Sequence, residues 1–322
     1  MKKLFALLLA AAMILSMAAC GSGTSSGNNA TTPNETNGEA VATDGTANDP
    51  TALNLSGKKL VIGTQAKAAG LYVYVAQELG LFEDAGLDVE IVTFASGAPI
   101  NEAMAAGELD VAVSGMATVY ALATGMYTYI GDGTITVNGQ AIYARADSDI
   151  AKAGVYSGNI IGSAETVKGC SILGPLSTAA HYNAISYVKA FGLTSDDFSM
   201  VSMEYAQAYE AFITGQGDLL ATTPPYTSQL AADPNYVKVA DLYDVMGAPL
   251  VDTISVQNEV AETRGDDLVA LLDCLYTAMD ILANDDTLRA EYGMRIYASE
   301  GTTYTEDDMA SEIANQSYFT WD

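Results

Sequence analysis

The stretch LGPLSTAAHYNA, residues 173–184, holds the only histidine of the chain, His181, close behind Ser177 and Thr178. A serine and a histidine with a carboxylate to orient the ring would support nucleophilic acyl transfer. No orienting acid is evident near this pair, and the glycine pattern of a nucleophile elbow does not surround Ser177. One histidine and three scattered cysteines, Cys20, Cys170 and Cys274, offer no metal-ligand spacing. The same stretch also reads as a helix start. Gly174 frees the turn, and Ser177 and Thr178 place hydroxyls beside backbone N–H groups that the polar end of a solute would use. Such hydroxyls also serve simply as helix caps. Binding without an enzyme's chemistry, and with no cofactor, is the expectation.

Composition narrows the partners. A formal charge of −27 argues against nucleic acid. It leaves an anionic ligand open, because the local dipoles of a pocket can oppose the global field. Residues 1–19 run from Met1-Lys2-Lys3 through an apolar stretch to small residues, the order of a secretory signal. Cys20 follows Ala18-Ala19 as in a lipobox, with Met17 where leucine is usual, which predicts lipidation at Cys20. Residues 20–57 then form a polar, glycine- and threonine-rich tether. The expected location is the cell membrane, lipid-anchored on the extracytoplasmic face. Cys170 and Cys274 sit in apolar runs and are expected as buried free thiols.

The elements that must position any site alternate in type. KLVIGT (59–64), LDVEIVTF (87–94) and LDVAVSG (109–115) read as strands. LYVYVAQELGLFEDAG (71–86), APINEAMAAGE (98–108) and MATVYALATG (116–125) read as helices between and after them. GTITVNGQAIYAR (133–145) offers two strands with an Asn-Gly turn between them. A second round starts at TVKGCSILG (166–174), and everything after Ala261 looks helical. Strand–helix alternation with short links predicts parallel sheets covered by helices. The extended runs near 139–145 and 248–257 sit where the chain would pass between two lobes and back.

Two long runs carry a family resemblance. GTQAKAAGLYVYVAQELGLFEDAGLDVEIVTFASGAPINEAMAAGELDVAVSG (63–115) resembles the first lobe of substrate-binding proteins of ABC transporters of the nitrate, sulfonate and thiamine-precursor type. LGPLSTAAHYNAISYVKAFGLTSDDFSMVSMEYAQAYEAFITGQGDLLATTPPY (173–226) resembles the second. The resemblance implies the type II periplasmic-binding-protein fold, α/β in class, with two lobes joined by two crossover strands. It places lobe 1 at 58–144 and 250–322 and lobe 2 at 145–249. It implies a lipoprotein, most simply a monomer, that captures a small solute and delivers it to membrane permease subunits. Solute sensing on the same fold is the alternative role.

In open α/β sheets ligands lie beyond the carboxyl ends of strands, at loops entering helices. For the first lobe this selects Thr64, Gln65, Lys67, Ser96, Gly97, Ser114, Gly115 and Thr118. For the second it selects Gly174, Ser177, Thr178, His181, Tyr205, Gln207, Thr223 and Tyr226. Lys67 is the one cation in a predicted site loop, while Tyr205 and Tyr226 begin their elements and offer faces for stacking. Two solute classes fit these residues. A small organic anion, a sulfonate or an aromatic carboxylate, would use Lys67, the hydroxyls and the helix starts, and is favoured. A planar heterocycle of the thiamine-precursor kind would use the tyrosines and His181.

Overall fold

The computed structural model describes residues 52–320. The expected signal peptide, Cys20 and most of the tether lie outside the described residues. Asn54 and Ser56, at the end of the tether, donate backbone hydrogen bonds of 2.8 Å to Asp266 and Asp267. Arg264 ties the same entry point by donating to the carbonyls of Lys58 and Lys59.

The first round of elements is β1 (Leu60–Thr64), α1 (Ala68–Glu78), α2 (Leu81–Asp84), β2 (Val89–Thr93), α3 (Gly97–Ala106), β3 (Val111–Ser114), α4 (Ala117–Leu122) and β4 (Tyr127–Thr136). There follow β5 (Ala141–Arg145), α5 (Asp149–Lys152), a small hairpin β6 (Val155–Ser157) and β7 (Ile160–Ile161), and α6 (Ala164–Val167). The second round is β8 (Ser171–Gly174), α7 (Ala179–Ala190), β9 (Ser199–Ser202), α8 (Tyr205–Ile213), β10 (Leu219–Thr222), α9 (Tyr226–Ala232), β11 (Tyr236–Asp241) and α10 (Leu242–Met246). The chain ends with β12 (Leu250–Gln257), α11 (Asn258–Thr263), α12 (Gly265–Asn284), α13 (Asp286–Ser299), α14 (Glu306–Asn315) and β13 (Gln316–Tyr318).

Two main sheets organise these elements. One has the order β13-β4-β12-β3-β1-β2 and the other β11-β5-β10-β8-β9. In each, the opening strand lies between its two parallel successors: β1 between β2 and β3, β8 between β9 and β10. In each, one antiparallel strand arrives from the other half: β12 pairs with β3 and β4, and β5 pairs with β10 and β11. The chain therefore crosses between sheets twice, before β5 and before β12. This is the α/β, two-lobed periplasmic-binding-protein architecture.

The parallel strands are short apolar runs because helices cover both faces. Leu60 and Ile62 on β1 and Ile172 and Leu173 on β8 are buried to 2% exposure or less. Each such side chain, fully buried, adds about 1.5–3 kcal/mol of hydrophobic stabilisation. Cys170 and Cys274 are buried and free.

Three local expectations change. Residues 71–86 do not form one helix: Gly80 sits at φ 74°, a left-handed stop between α1 and α2. The strands on either side of Asn138-Gly139 are not a hairpin. Both edges of β5 are taken by β10 and β11, so the Asn-Gly link carries the chain from one sheet to the other. The tail after Ala261 is not wholly helical, since β13 adds to the edge of β4.

Candidate functional site

Between the two sheets lies a cavity of about 60 Å³. One ordered water needs roughly 10–15 Å³ of such space, so the cavity is sized for a small solute. Its first-sheet wall comes from Gln65, Lys67, Gly97, Ser114, Gly115, Asp252, Glu312 and Gln316, and its second-sheet wall from Gln140, Thr178, Tyr205 and Thr223.

Four helices of eight or more residues begin at this cavity; one, α8, starts behind the acidic Glu204, and the other three are α1, α3 and α7. The cap residues of these three, Lys67, Ser96 and Thr178, make no side-chain capping bond. Ser96 donates instead to Glu204 across the cleft at 3.2 Å, and Thr178 donates to the Pro175 carbonyl at 2.8 Å. Away from the cleft, by contrast, Ser148, Ser163, Asp241, Asp285 and Thr305 all cap their helices. Uncapped N–H groups at several helix starts create a partial positive field that favours an anion.

Lys67 adds a full charge to that pole. Its ammonium lies 4.3 Å from the centre of the Tyr205 ring, a cation–π contact between the lobes. None of the ion pairs within 4 Å among the described residues uses it. Burial lowers its pKa to about 8, against the opposing pull of Glu204 and Glu312. Lys67 and Tyr205 also line an outer hollow with Glu204, Tyr226 and Glu300, so this pair stands between the cavity and the outside.

The opposite wall is acidic. Asp252 is 5% exposed, and one of its oxygens accepts the Thr134 hydroxyl. Its Oδ1 lies against Gly115, where a Cβ would come within 2.6 Å, so the close approach requires glycine there. Burial pushes the Asp252 carboxyl up to about 6. Glu312, also buried, accepts the Tyr297 hydroxyl at 2.9 Å, and burial raises its pKa as well. Gln140 donates to the Thr223 hydroxyl at 3.0 Å and leaves its Oε1 without a partner. Gln316 Oε1 and Ser114 Oγ are likewise buried and unpartnered.

Residues 55–295 match the NMT1-like family. The chain belongs to the NMT1-like family. A Brachyspira hyodysenteriae protein named as an ABC transporter periplasmic binding protein is 30% identical over 243 residues, covering 74% of this chain and 70% of that relative. The alkanesulfonate-binding protein SsuA of Xanthomonas axonopodis pv. citri, solved with MOPS bound, is similar with a TM-score of 0.64 at 19% identity. The match covers 82% of this chain and 87% of that one. The periplasmic aliphatic sulphonate binding protein SsuA of Escherichia coli gives 0.62 at 19% identity, over 81% and 86% of the two chains. The nitrate-binding protein NrtA of Synechocystis PCC 6803 gives 0.59 at 16% identity, over 79% and 69%. This NMT1-like chain is thus a periplasmic-type solute-binding protein of the ABC-importer class.

Of the residues expected at the site of this NMT1-like protein, Gln65, Lys67, Gly97, Ser114, Gly115, Thr178, Tyr205 and Thr223 line the cavity. The others lie elsewhere for identifiable reasons. Thr64 is buried and donates to the Val113 carbonyl, tying β1 to β3. Ser96 is turned to Glu204, and Thr118 bonds back to the Ser114 carbonyl. Gly174 ends β8 at φ 150°, where a Cβ would meet the Ala221 carbonyl at 2.8 Å. Ser177, at φ 55°, lies on an outer hollow beside Tyr120, and its N–H donates to His181 Nδ1 at 3.3 Å. His181 stacks on Tyr120 of the first lobe, ring centres 6.3 Å apart, and so bridges the cleft at its rim. Gln207 is exposed, and Tyr226 packs on Tyr209 in the outer hollow. Sequence reasoning missed Thr136, Gln140, Asp252, Tyr304, Glu312 and Gln316.

Proposed function

We propose that this protein, tethered to the membrane through a lipidated Cys20, captures a small organic acid between its lobes. It then presents the loaded, closed form to the permease of an ABC importer. The carrying observation is the convergence of three uncapped helix starts with an unpaired lysine on one small cavity. A carboxylate or sulfonate placed there receives N–H donors and the Lys67 ammonium in a site shielded from water, where each interaction is stronger than in bulk. The alkanesulfonate ligand class named for the Xanthomonas SsuA structure supports the same reading. The first sheet with its helices, residues 58 to about 139 and 250–322, would act as one lobe and residues from about 140 to 249 as the other, turning about the two crossovers. β5 belongs to the second sheet, which moves the first boundary a few residues ahead of the expected 144. The solute must bind the closed form better than the open form for that turn to occur.

Isothermal titration calorimetry against a panel of short sulfonates and carboxylates tests the proposal. Binding of at least one acid, lost in Lys67→Ala, supports it; a panel in which no acid binds overturns it. A planar heterocycle is the second reading, favoured by the Tyr205 ring beside the unpartnered Gln140 and Gln316 oxygens, and aminopyrimidines belong in the same panel. Retention of Cys20→Ser protein in the membrane fraction would overturn the tether.

A further inference from the structure

An organic acid accounts for one end of the cavity and leaves the other unexplained. The strand face formed by β4, β12 and β13 brings Thr136, Leu250, Asp252 and Gln316 to the same wall. Thr136 is in register with both Leu250 and Gln316, and Asp252 follows Leu250 by two residues on the same strand face. This wall presents several acceptors, and the buried Tyr72 and Tyr318 hydroxyls near it make no hydrogen bond to Asp252. The Asp252 carboxylate spends one oxygen on Thr134, while its Oδ1 receives no hydrogen bond among the described residues. Gln316 and Gln140 each present an unpartnered buried oxygen. No basic side chain pairs with Asp252 within 4 Å among the described residues.

A buried carboxylate without a cationic partner is costly, and asparagine or threonine would fill the same strand position without that cost. Its retention in the wall of a solute cavity, beside neutral acceptors that also lack donors, points to a donor supplied by the solute. Glu312 is a weaker candidate for the same role, since Tyr297 already occupies one of its oxygens. The two poles are of opposite sign and share a cavity of about 60 Å³. The acid and the donor must then belong to one compact molecule.

We infer that the solute is a short zwitterion, an amino acid in the broad sense. Its acid sits at the starts of α1, α3 and α7 beside Lys67, and its protonated amine is held by Asp252 with the Gln316 and Gln140 oxygens. The inference rests on capture of an acid at the helix starts and adds the second pole. It also means that a simple acid leaves Asp252 unpaired in the closed cavity.

Calorimetry with matched pairs at neutral pH tests it: taurine against ethanesulfonate, β-alanine against propionate, and ethylammonium alone. The amine-bearing acid of each pair is expected to bind about tenfold or more tightly than its twin, with ethylammonium weaker than either zwitterion. In Asp252→Asn the ratio within each pair should fall toward one. Equal affinity within the pairs overturns the zwitterion while leaving acid capture standing, and so does a ratio unchanged by Asp252→Asn. If no amine-bearing acid binds, the zwitterion falls outright, and the broader acid panel decides acid capture separately.

Discussion

From the first sheet and its helices the cavity receives Lys67, Asp252 and Glu312; from the second it receives Gln140, Thr178, Tyr205 and Thr223, none of them a formal charge. The nearest acid of the second lobe, Glu204, faces the outer hollow and takes the Ser96 hydroxyl. Every full charge lining the cavity thus sits on one lobe. A charged solute can meet its partners on that lobe while the cleft is open, and the neutral lobe then excludes water and strengthens those contacts. Under the proposed closing motion, contacts to the second lobe would form last and would set the open–closed balance rather than the class of solute.

The largest expected break in this division is Lys67→Ala. Truncating one partner of a buried, hydrogen-bonded charge pair costs about 2–5 kcal/mol, so affinity for any acid should fall by roughly 30-fold or more. Calorimetry measures it. A loss below a few-fold would place the anionic pole elsewhere.

The Asp252 carboxyl sharpens the comparison through pH. Its folded pKa of about 6 stands above the 3.8 of an ordinary aspartate, because the carboxyl is buried. The folded state therefore holds the extra proton between those values, and ligand-free stability falls as pH rises through that window. At pH 7 the buried, ionised group carries a penalty on the order of 2–3 kcal/mol. Asp252→Asn should accordingly raise the melting temperature of the ligand-free protein at pH 7, with the gain fading toward pH 4. Amine binding has the opposite sign: it needs the ionised carboxylate and should weaken as pH falls through about 6. The groups that bear on Asp252 are Tyr72, Tyr205 and Tyr318, with Lys67 and Glu312 in the cavity. The tyrosines are held neutral by burial throughout this range. A melting temperature unaffected by Asp252→Asn would mean that the carboxylate is already compensated. Lys67 adds a separate window. Its folded pKa of about 8 lies below 10.5, so its burial penalty is full below the former and relieved as pH rises between the two.

On the neutral lobe the effects should be smaller. Thr223→Val removes the hydrogen bond that orients Gln140 at 3.0 Å, a contact worth about 0.5–1.5 kcal/mol. Affinity should drop about two- to tenfold, for every solute alike. A loss confined to amine-bearing acids would instead make Gln140 part of the charged pole.

How far the sequence showed this division depends on the residue. The strand-to-helix junctions were legible because glycine, serine and threonine at the ends of apolar runs mark loops at the carboxyl ends of strands, and Lys67, Ser114, Thr178 and Thr223 were found that way. The acidic wall was harder to see, since β13 is a three-residue strand after helical sequence and reaches the cavity only by pairing with β4. Glu312 is one of many acids in a helix whose other acids are mostly solvated or capping. Asp252 did leave a signal. It is a lone charge inside the apolar run PLVDTISV, in a strand buried on both faces, and such a charge calls for a partner. Reading that run only as a crossover hid it.

His181, the most conspicuous residue of the sequence, belongs with the smaller expected effects, on a par with Thr223. Its ring lies nearly parallel to Tyr120 at 13°, joining α7 of one lobe to α4 of the other outside the cavity. Burial lowers its pKa below 6.5, so it is neutral at pH 7 and adds no charge to either pole. Aromatic pairs contribute about 0.5–1.5 kcal/mol beyond the area they bury, and under the proposed closing motion this one would form as the lobes meet. His181→Ala should therefore weaken binding about two- to tenfold through faster release, equally for zwitterions and simple acids, with the pH response near 6 unchanged. Stopped-flow release rates separate this from a change in recognition. A His181→Ala protein that discriminates differently between taurine and ethanesulfonate would place the imidazole in contact with the solute, and the neutral lobe would then share in reading its charge.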